Sequence, residues 1–146
     1  MNDKYIIYFI SRTKGHMIKF IENKLKANNL SELIPTHGNI LTALYESTEK
    51  MTMKEISKKI GKDKSTVTSL VRKLETLGYV QKEVSSIDKR NTYILLTSKG
   101  KELEPTFNSI SAQVKETAYK DFSQEEKEEF LRLLRKLNNN FKKVND

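Results

Sequence analysis

From residue 4 to about residue 27, apolar side chains fall at Ile6, Ile7, Ile10, Met17, Phe20, Ile21 and Leu25, with Tyr5, Phe9 and Ile18 widening the stripe. The spacing is helical. The stripe is broader than one small domain needs to bury, so a second subunit is expected to cover part of it. Gly15 weakens this helix by up to about 1 kcal/mol, and Asn28-Asn29 ends it. Thr36, after Pro35, is expected to cap a second helix bearing Ile40, Leu41 and Leu44. Thr52 to Glu55 has the Thr-x-x-Glu form of a capping box, in which side chains satisfy orphan amides at a helix start. That third helix buries Ile56 and Ile60 and stops at Gly61, a natural left-handed terminus. Asp63 then caps a helix over residues 64–77, with Val67, Leu70, Val71, Leu74 and Leu77 on one buried face and Gly78 at its end.

Two apolar runs follow, residues 79–84 and 93–96, and they predict a two-stranded ribbon closed by a loop over residues 85–91. Helix, short glycine turn, helix and ribbon together predict a helix-turn-helix with a wing. Thr97-Ser98-Lys99-Gly100 opens another helix, which Pro105 kinks or delays. Ser123-Gln-Glu-Glu126 is a second capping box, starting a helix with Phe130, Leu133, Leu134, Leu137, Phe141 and Val144 on one stripe. The expected fold class is mainly α with a small β-ribbon. A single domain over 1–146 would comprise a winged-helix lobe at 36–100 and helical dimerisation regions at 1–30 and 101–146.

With 36% hydrophobic and 32% charged residues, the composition favours a helical chain over a disordered one. Cysteine is absent, which removes disulfides, thiol redox sensing and cysteine-ligated zinc. The apolar run at 5–10 falls short of the about 20 residues that span a bilayer, and no cleavage site follows it, so the cytoplasm and no membrane partner are expected. Net charge is +8, and its placement matters more than its size. Residues 53–101 carry 12 Lys or Arg against five acids, whereas the other 97 residues carry 15 against 14. A cationic surface concentrated in one third of the chain suits a polyanion. A solvated lysine-rich face would look the same by charge alone.

The helix at 64–77 separates these readings. Opposite its buried stripe lie Ser65, Ser69, Arg72 and Thr76, flanked by Thr68 and Lys73. Short hydroxyl side chains let a helix approach the major groove and bond phosphates or base edges. Arg72 can pair bidentately with a guanine, worth about 1–3 kcal/mol of discrimination. An ordinary solvated face carries more acid; here Glu75 is the only one. In the loop, Arg90 can enter a minor groove, where converging phosphates strengthen the field. Asp88 is unhelpful beside DNA unless it holds that guanidinium, and a routine exposed Asp/Arg pair is the plainer alternative.

The succession Thr52-x-x-Glu55, Ser65-Thr66-Val67-Thr68, Leu74-Glu75-x-x-Gly78-Tyr79-Val80, Asp88-Lys89-Arg90 and Leu96-Thr97-x-x-Gly100 resembles the MarR (multiple antibiotic resistance regulator) family of bacterial transcription factors, over nearly the whole chain. The resemblance implies a homodimer built from N- and C-terminal helices that binds a pseudo-palindromic double-stranded operator. By position, it assigns Ser65, Thr66, Thr68, Ser69, Arg72 and Lys73 to the recognition helix, and Asp88, Lys89 and Arg90 to the wing. Lys54, Lys58, Lys62, Lys64 and Lys99 are candidates for phosphate contact. Family members commonly respond to small phenolic or anionic effectors, and most are repressors. The alternative is a protein-interaction module whose winged helix docks an acidic partner.

Other chemistry is weakly signalled. His16 and His37 are far apart, and a metal site would need Glu22 or Glu32 as well; two partly exposed helix histidines are the simpler expectation. Tyr5, Tyr8, Phe9 and Phe20 suit core or dimer packing more than a ligand crevice. No nucleophile–base pair, phosphate-cradling glycine loop or paired carboxylate stands out, so no enzyme and no cofactor are expected. The run Glu125, Glu126, Glu128 and Glu129 complements a helix macrodipole.

Overall fold

A computed structural model describes residues 2–146 of the chain. After a 3-10 turn at Asp3–Tyr5, the elements are α1 (Ile6–Ala27), α2 (Pro35–Glu46), β1 (Met51–Thr52), α3 (Met53–Ile60), α4 (Lys64–Thr76), β2 (Val80–Val84), β3 (Thr92–Leu96), α5 (Ser98–Glu102), α6 (Glu104–Ala118) and α7 (Gln124–Asn145). The chain divides into two compact units, one running to Ser111 and one spanning Ala112–Asp146. No helix among the described residues is long and apolar enough to cross a membrane.

Three helices of the first unit stop by the same device. Asn29, Gly61 and Gly78 take positive φ of 59°, 68° and 83°. In each case the next amide reaches back to a carbonyl in the last turn: Leu30 to Leu25 (2.8 Å), Lys62 to Ser57 (3.1 Å), Tyr79 to Leu74 (2.9 Å). That bond satisfies orphan carbonyls while turning the chain sharply. Leu25, Ile40, Leu41, Ile56, Val67, Val71, Leu74, Val80 and Ile94 are fully buried by this folding back. Leu70, Leu77 and Ile60, expected in the core, are only half-buried at its rim.

The start of α2 differs from expectation. Thr36 is not the cap, because Pro35 is the first helical residue and Ile34 precedes it with extended backbone. Proline loses nothing at that position, since its missing N–H would be an orphan there. Instead the His37 Nδ1 accepts the Ile34 amide at 3.0 Å, while the His37 amide donates to the Ile34 carbonyl at 3.0 Å. His37 is therefore a buried capping residue, 5% exposed, rather than a partly exposed histidine. His16 is exposed on α1. No group of three potential metal ligands occurs among the described residues.

The ribbon is wider than two strands. β3 pairs antiparallel with β2 (Val80↔Leu96 through Val84↔Thr92) and, on its other edge, with β1 (Met51↔Ile94, Thr52↔Tyr93). Thr52 thus ends a strand and caps α3, its hydroxyl accepting from the Glu55 amide at 3.2 Å and its amide donating to Glu55 at 2.8 Å. Pro105 sits second in α6 and separates it from α5 at Leu103, a split rather than a kink.

In the second unit, Ser123 and Glu126 form the expected box, at 3.1 and 2.8 Å. Tyr119, Phe122 and Phe130 stack edge to face, with ring centres 5.7 and 5.9 Å apart. α7 has no buried residue.

Candidate nucleic-acid interface

Helices α3 and α4 meet across Gly61–Asp63, and α4 packs on α2, α3 and β2. Because Val67, Val71 and Leu74 are fully buried, the 100° period turns Ser65, Ser69, Arg72 and Thr76 outward, and all four are exposed. Thr66 and Lys73 are exposed beside them, and Thr68 is half-buried.

Asp63 does more than cap. Its Oδ1 accepts the Thr66 amide (2.8 Å) and the Ser65 hydroxyl (2.7 Å), and its Oδ2 accepts the Thr66 hydroxyl (3.1 Å). These bonds, the Thr66 amide foremost, hold the carboxyl down at about 2. The Thr68 hydroxyl donates to the Lys64 carbonyl at 2.7 Å and that of Thr76 to the Arg72 carbonyl at 2.9 Å. Among the described residues, no hydrogen bond or ion pair engages the side chains of Ser69 or Arg72.

The C-terminal end of α4 is pinned by α5. Lys99 Nζ donates to the Leu77 carbonyl at 2.8 Å and lies 4.7 Å from the centre of the Tyr79 ring, so one expected phosphate ligand has a bonding partner at a helix end. The Thr97 hydroxyl donates to the Gly78 carbonyl, at 2.5 Å. Gly100 has no room for a side chain: a Cβ there would run into the Tyr79 carbonyl oxygen.

The wing is a braced loop. The Ser85 hydroxyl accepts the amides of Ile87 and Asp88, both at 3.2 Å, and the Ser85 amide donates to the Asn91 carbonyl at 2.9 Å. Asp88 then takes the Arg90 guanidinium in a fork, Nε to Oδ1 at 3.0 Å and NH2 to Oδ2 at 3.1 Å, and accepts the Arg90 amide as well. Arg90's side chain bonds lower the Asp88 carboxyl below its ordinary value. The Arg90 side chain nonetheless stays 90% exposed, so the pair orients a cation instead of hiding it. Lys89 is exposed next to it. Sequence periodicity gave no sign of Ser85, the turn's anchor, or of Ile87, 97% exposed at the loop's apex.

Ion pairing sorts the lysines of this region. Lys50 pairs with Glu83 (2.7 Å), Lys59 with Glu46 (3.4 Å) and Lys82 with Glu75 (3.7 Å). Lys54, Lys58, Lys62, Lys64, Arg72, Lys73 and Lys89 are exposed and in no ion pair among the described residues. The positive surplus is thus left on α3, the turn, α4 and the wing.

Known proteins match this arrangement. A profile of the MarR family matches residues 31–91. The HTH-type transcriptional regulator SarZ of Staphylococcus haemolyticus is 34% identical over 137 residues, covering 93% of this chain and 89% of that protein. SarZ of Staphylococcus aureus strain USA300 is 30% identical over 111 residues, 76% of this chain and 72% of that protein. The chain of the crystal structure of the S. aureus MepR–DNA complex superposes with a TM-score of 0.84 at 26% identity, covering 96% of this chain and 98% of that one. Bordetella bronchiseptica BpsR, solved to explain regulation of its DNA binding by 6-hydroxynicotinic acid, shares the fold with a TM-score of 0.80 at 17% identity over 91% of this chain and 92% of that one. The chain belongs to the MarR family of winged-helix transcriptional regulators, which are not enzymes.

Proposed function

We propose that the protein is a homodimeric, ligand-responsive repressor that binds a pseudo-palindromic double-stranded operator. Each copy lays α4 in a major groove, where Ser65, Thr66, Thr68, Ser69, Arg72 and Lys73 face bases and backbone. The wing, with Arg90 oriented by Asp88 and Lys89 alongside, enters the neighbouring minor groove. Half-sites then lie about one helical turn apart, roughly 34 Å. Lys54, Lys58, Lys62 and Lys64 meet phosphates; Lys99 contributes while seated on the end of α4. The observation that carries this reading is an exposed Arg72 on a helix whose opposite face is locked in the core, beside Lys54, Lys58, Lys62, Lys64 and Lys73, which among the described residues form no ion pair. MepR, a structural relative, was crystallised on DNA.

Residues 36–100 would be the DNA-binding lobe, with 1–30 and 101–146 building the dimer. The exposed apolar stripes support the second half: Ile7 is 77% and Tyr8 64% exposed on α1, and Phe141 60% on α7. An aromatic acid regulates BpsR, and the reading extends to a small aromatic or anionic effector here. Such a regulator works in the cytoplasm, where its operator lies.

Selection of bound sequences from a random duplex pool tests the reading. The parent protein should enrich a two-fold symmetric site, with affinity falling by about 0.9 log units per log unit of salt for each phosphate neutralised. Arg72→Ala should lose discrimination of about 1–3 kcal/mol at one base pair per half-site, whereas Lys62→Ala should weaken all duplexes alike and flatten the salt slope. No enrichment at low salt would end the proposal.

A further inference from the structure

On the exposed side of α4, the hydroxyl hydrogens of Ser65, Thr66, Thr68 and Thr76 are already spent. A carbonyl oxygen and an ionised carboxylate carry no proton to give, so in each bond they form with a hydroxyl, the hydroxyl is the donor. Asp63 is ionised at any neutral pH, its carboxyl held near 2. Ser65 and Thr66 therefore donate to Asp63, at 2.7 and 3.1 Å. Thr68 and Thr76 donate to the carbonyls of Lys64 and Arg72, at 2.7 and 2.9 Å. Each of these oxygens keeps lone pairs and nothing to donate. Ser69 is the one hydroxyl of this face that no hydrogen bond among the described residues engages.

Phosphate oxygens are acceptors only, so a committed hydroxyl has nothing to offer them. In the major groove the available donors are the exocyclic amino groups, adenine N6 and cytosine N4; guanine N7 and O6 and thymine O4 are acceptors. We propose that Asp63 sets the hydrogen-bond polarity of the first turn of α4, so that Ser65 reads an adenine or cytosine amino group while Ser69 and Arg72, beyond its reach, read guanine or thymine acceptors. Asp63 is then a specificity-determining residue that itself touches no base. The inference rests on the DNA-binding reading above and deepens it. Ser65 and Arg72 are seven residues apart, so they point the same way two turns apart, about 10 Å along the helix. Their base contacts fall at different base pairs and can be separated.

The experiment uses the full chain and the operator it selects. Selection repeated with Ser65→Ala identifies the base pair whose preference that side chain sets. In that operator, the adenine is replaced by 2′-deoxynebularine, which lacks the N6 amino group, or the cytosine by the pyrimidin-2-one nucleoside, which lacks N4. The parent should lose about fivefold or more in affinity, and Ser65→Ala should be indifferent to the change. Asp63→Asn serves as the second variant. Asparagine caps a helix as well as aspartate does. Its oxygen keeps the Thr66 amide and the Ser65 hydroxyl, which share Oδ1, while the amide nitrogen replaces Oδ2 and cannot accept, so the Thr66 hydroxyl proton is released. The variant's circular dichroism should match the parent, its preference at the Ser65 position should persist, and its selected site should broaden to admit guanine or thymine beside Thr66.

A parent that binds its operator equally well without the amino group overturns the inference and leaves the function standing. So does a Ser65→Ala protein weakened equally on operator and random duplex, which would mean a phosphate contact. A parent that selects no sequence overturns both.

Discussion

The centre of the apolar face of α4 is closed by the same chain: Val67, Val71 and Leu74 have no exposed surface, and Leu70 is half-buried at the rim. α7 repeats the pattern over 22 residues, with Phe130, Leu133, Leu134, Phe141 and Val144 on one stripe, and buries none of them. Both helices begin at an oxygen side chain that accepts an amide, Asp63 from Thr66 and Ser123 from Glu126. Local signals are therefore equal, and the difference lies in what covers the apolar face. Periodicity says that a stripe wants burial; it does not say by what. For α4 the cover is intramolecular, so its position relative to the core is a property of one chain. For α7, in the homodimer proposed above, the cover is a second copy.

The largest effect should come from breaking that contrast directly. Leu74→Ala empties a closed site and should cost about 2–5 kcal/mol of unfolding free energy, independent of protein concentration. Leu134→Lys, 43% exposed in the single chain, should leave the unfolding of the DNA-binding lobe near parental while shifting sedimentation equilibrium toward monomer. A Leu134→Lys protein that stays dimeric would show that α7 does not supply the covered face.

The same substitution at two glycines should act with opposite signs. Gly100→Ala drives a methyl group against the Tyr79 carbonyl, beside the end of α4, and should destabilise by about 1–3 kcal/mol. Gly15 in α1 has nothing within 4 Å of a Cβ. Gly15→Ala should stabilise by up to about 1 kcal/mol, because alanine is the better helix former. A loss at Gly15 in thermal denaturation would instead mean that a partner copy lies against that position.

Much of this architecture was legible because its signals are local. Thr52 with Glu55, Ser123 with Glu126, Asp63, Gly61 and Gly78 each act within five residues, and each does in the structure what its chemistry predicts. The helical period likewise placed Ser65, Ser69 and Arg72 on one exposed side. What escaped is non-local or directional. β1 is two residues long and exists only through Ile94 and Tyr93, some 40 positions away. The seat of Lys99 on Leu77 needs the turn at Gly78 to bring α5 back. Hydroxyl polarity on α4 depends on where each proton goes, which residue type alone does not determine. The cap lies at Ile34 and not Thr36 because proline occupies the first helical position and so shifts the start by two residues, and nothing in the residue pattern marks a histidine as the acceptor.

That histidine gives the smallest effect and the sharpest contrast between covered and uncovered helix starts. At α7 the amide of Ser123 is met by the exposed carboxylate of Glu126; at α2 the amide of Ile34 is met by the buried imidazole of His37. Removing the exposed cap, by Ser123→Ala, should cost about 1 kcal/mol. His37 behaves differently because its ring must be unprotonated at Nδ1 to accept. Burial first, and the charge of Lys73 second, lower its pKa from the ordinary 6.5. The unfolded chain then binds a proton more readily than the folded one just below pH 6.5, so stability rises with pH there. The contribution is complete above about 6.5 and is lost as pH falls through the window beneath it. His37→Gln sits at the third helical position, where a glutamine side chain accepts the same amide without titrating. Urea midpoints at about pH 7.5 and about pH 5.5 should differ more for the parent than for His37→Gln. Equal slopes would mean that the imidazole stays protonation-neutral to folding, and that the buried cap is held by packing of α2 rather than by its nitrogen.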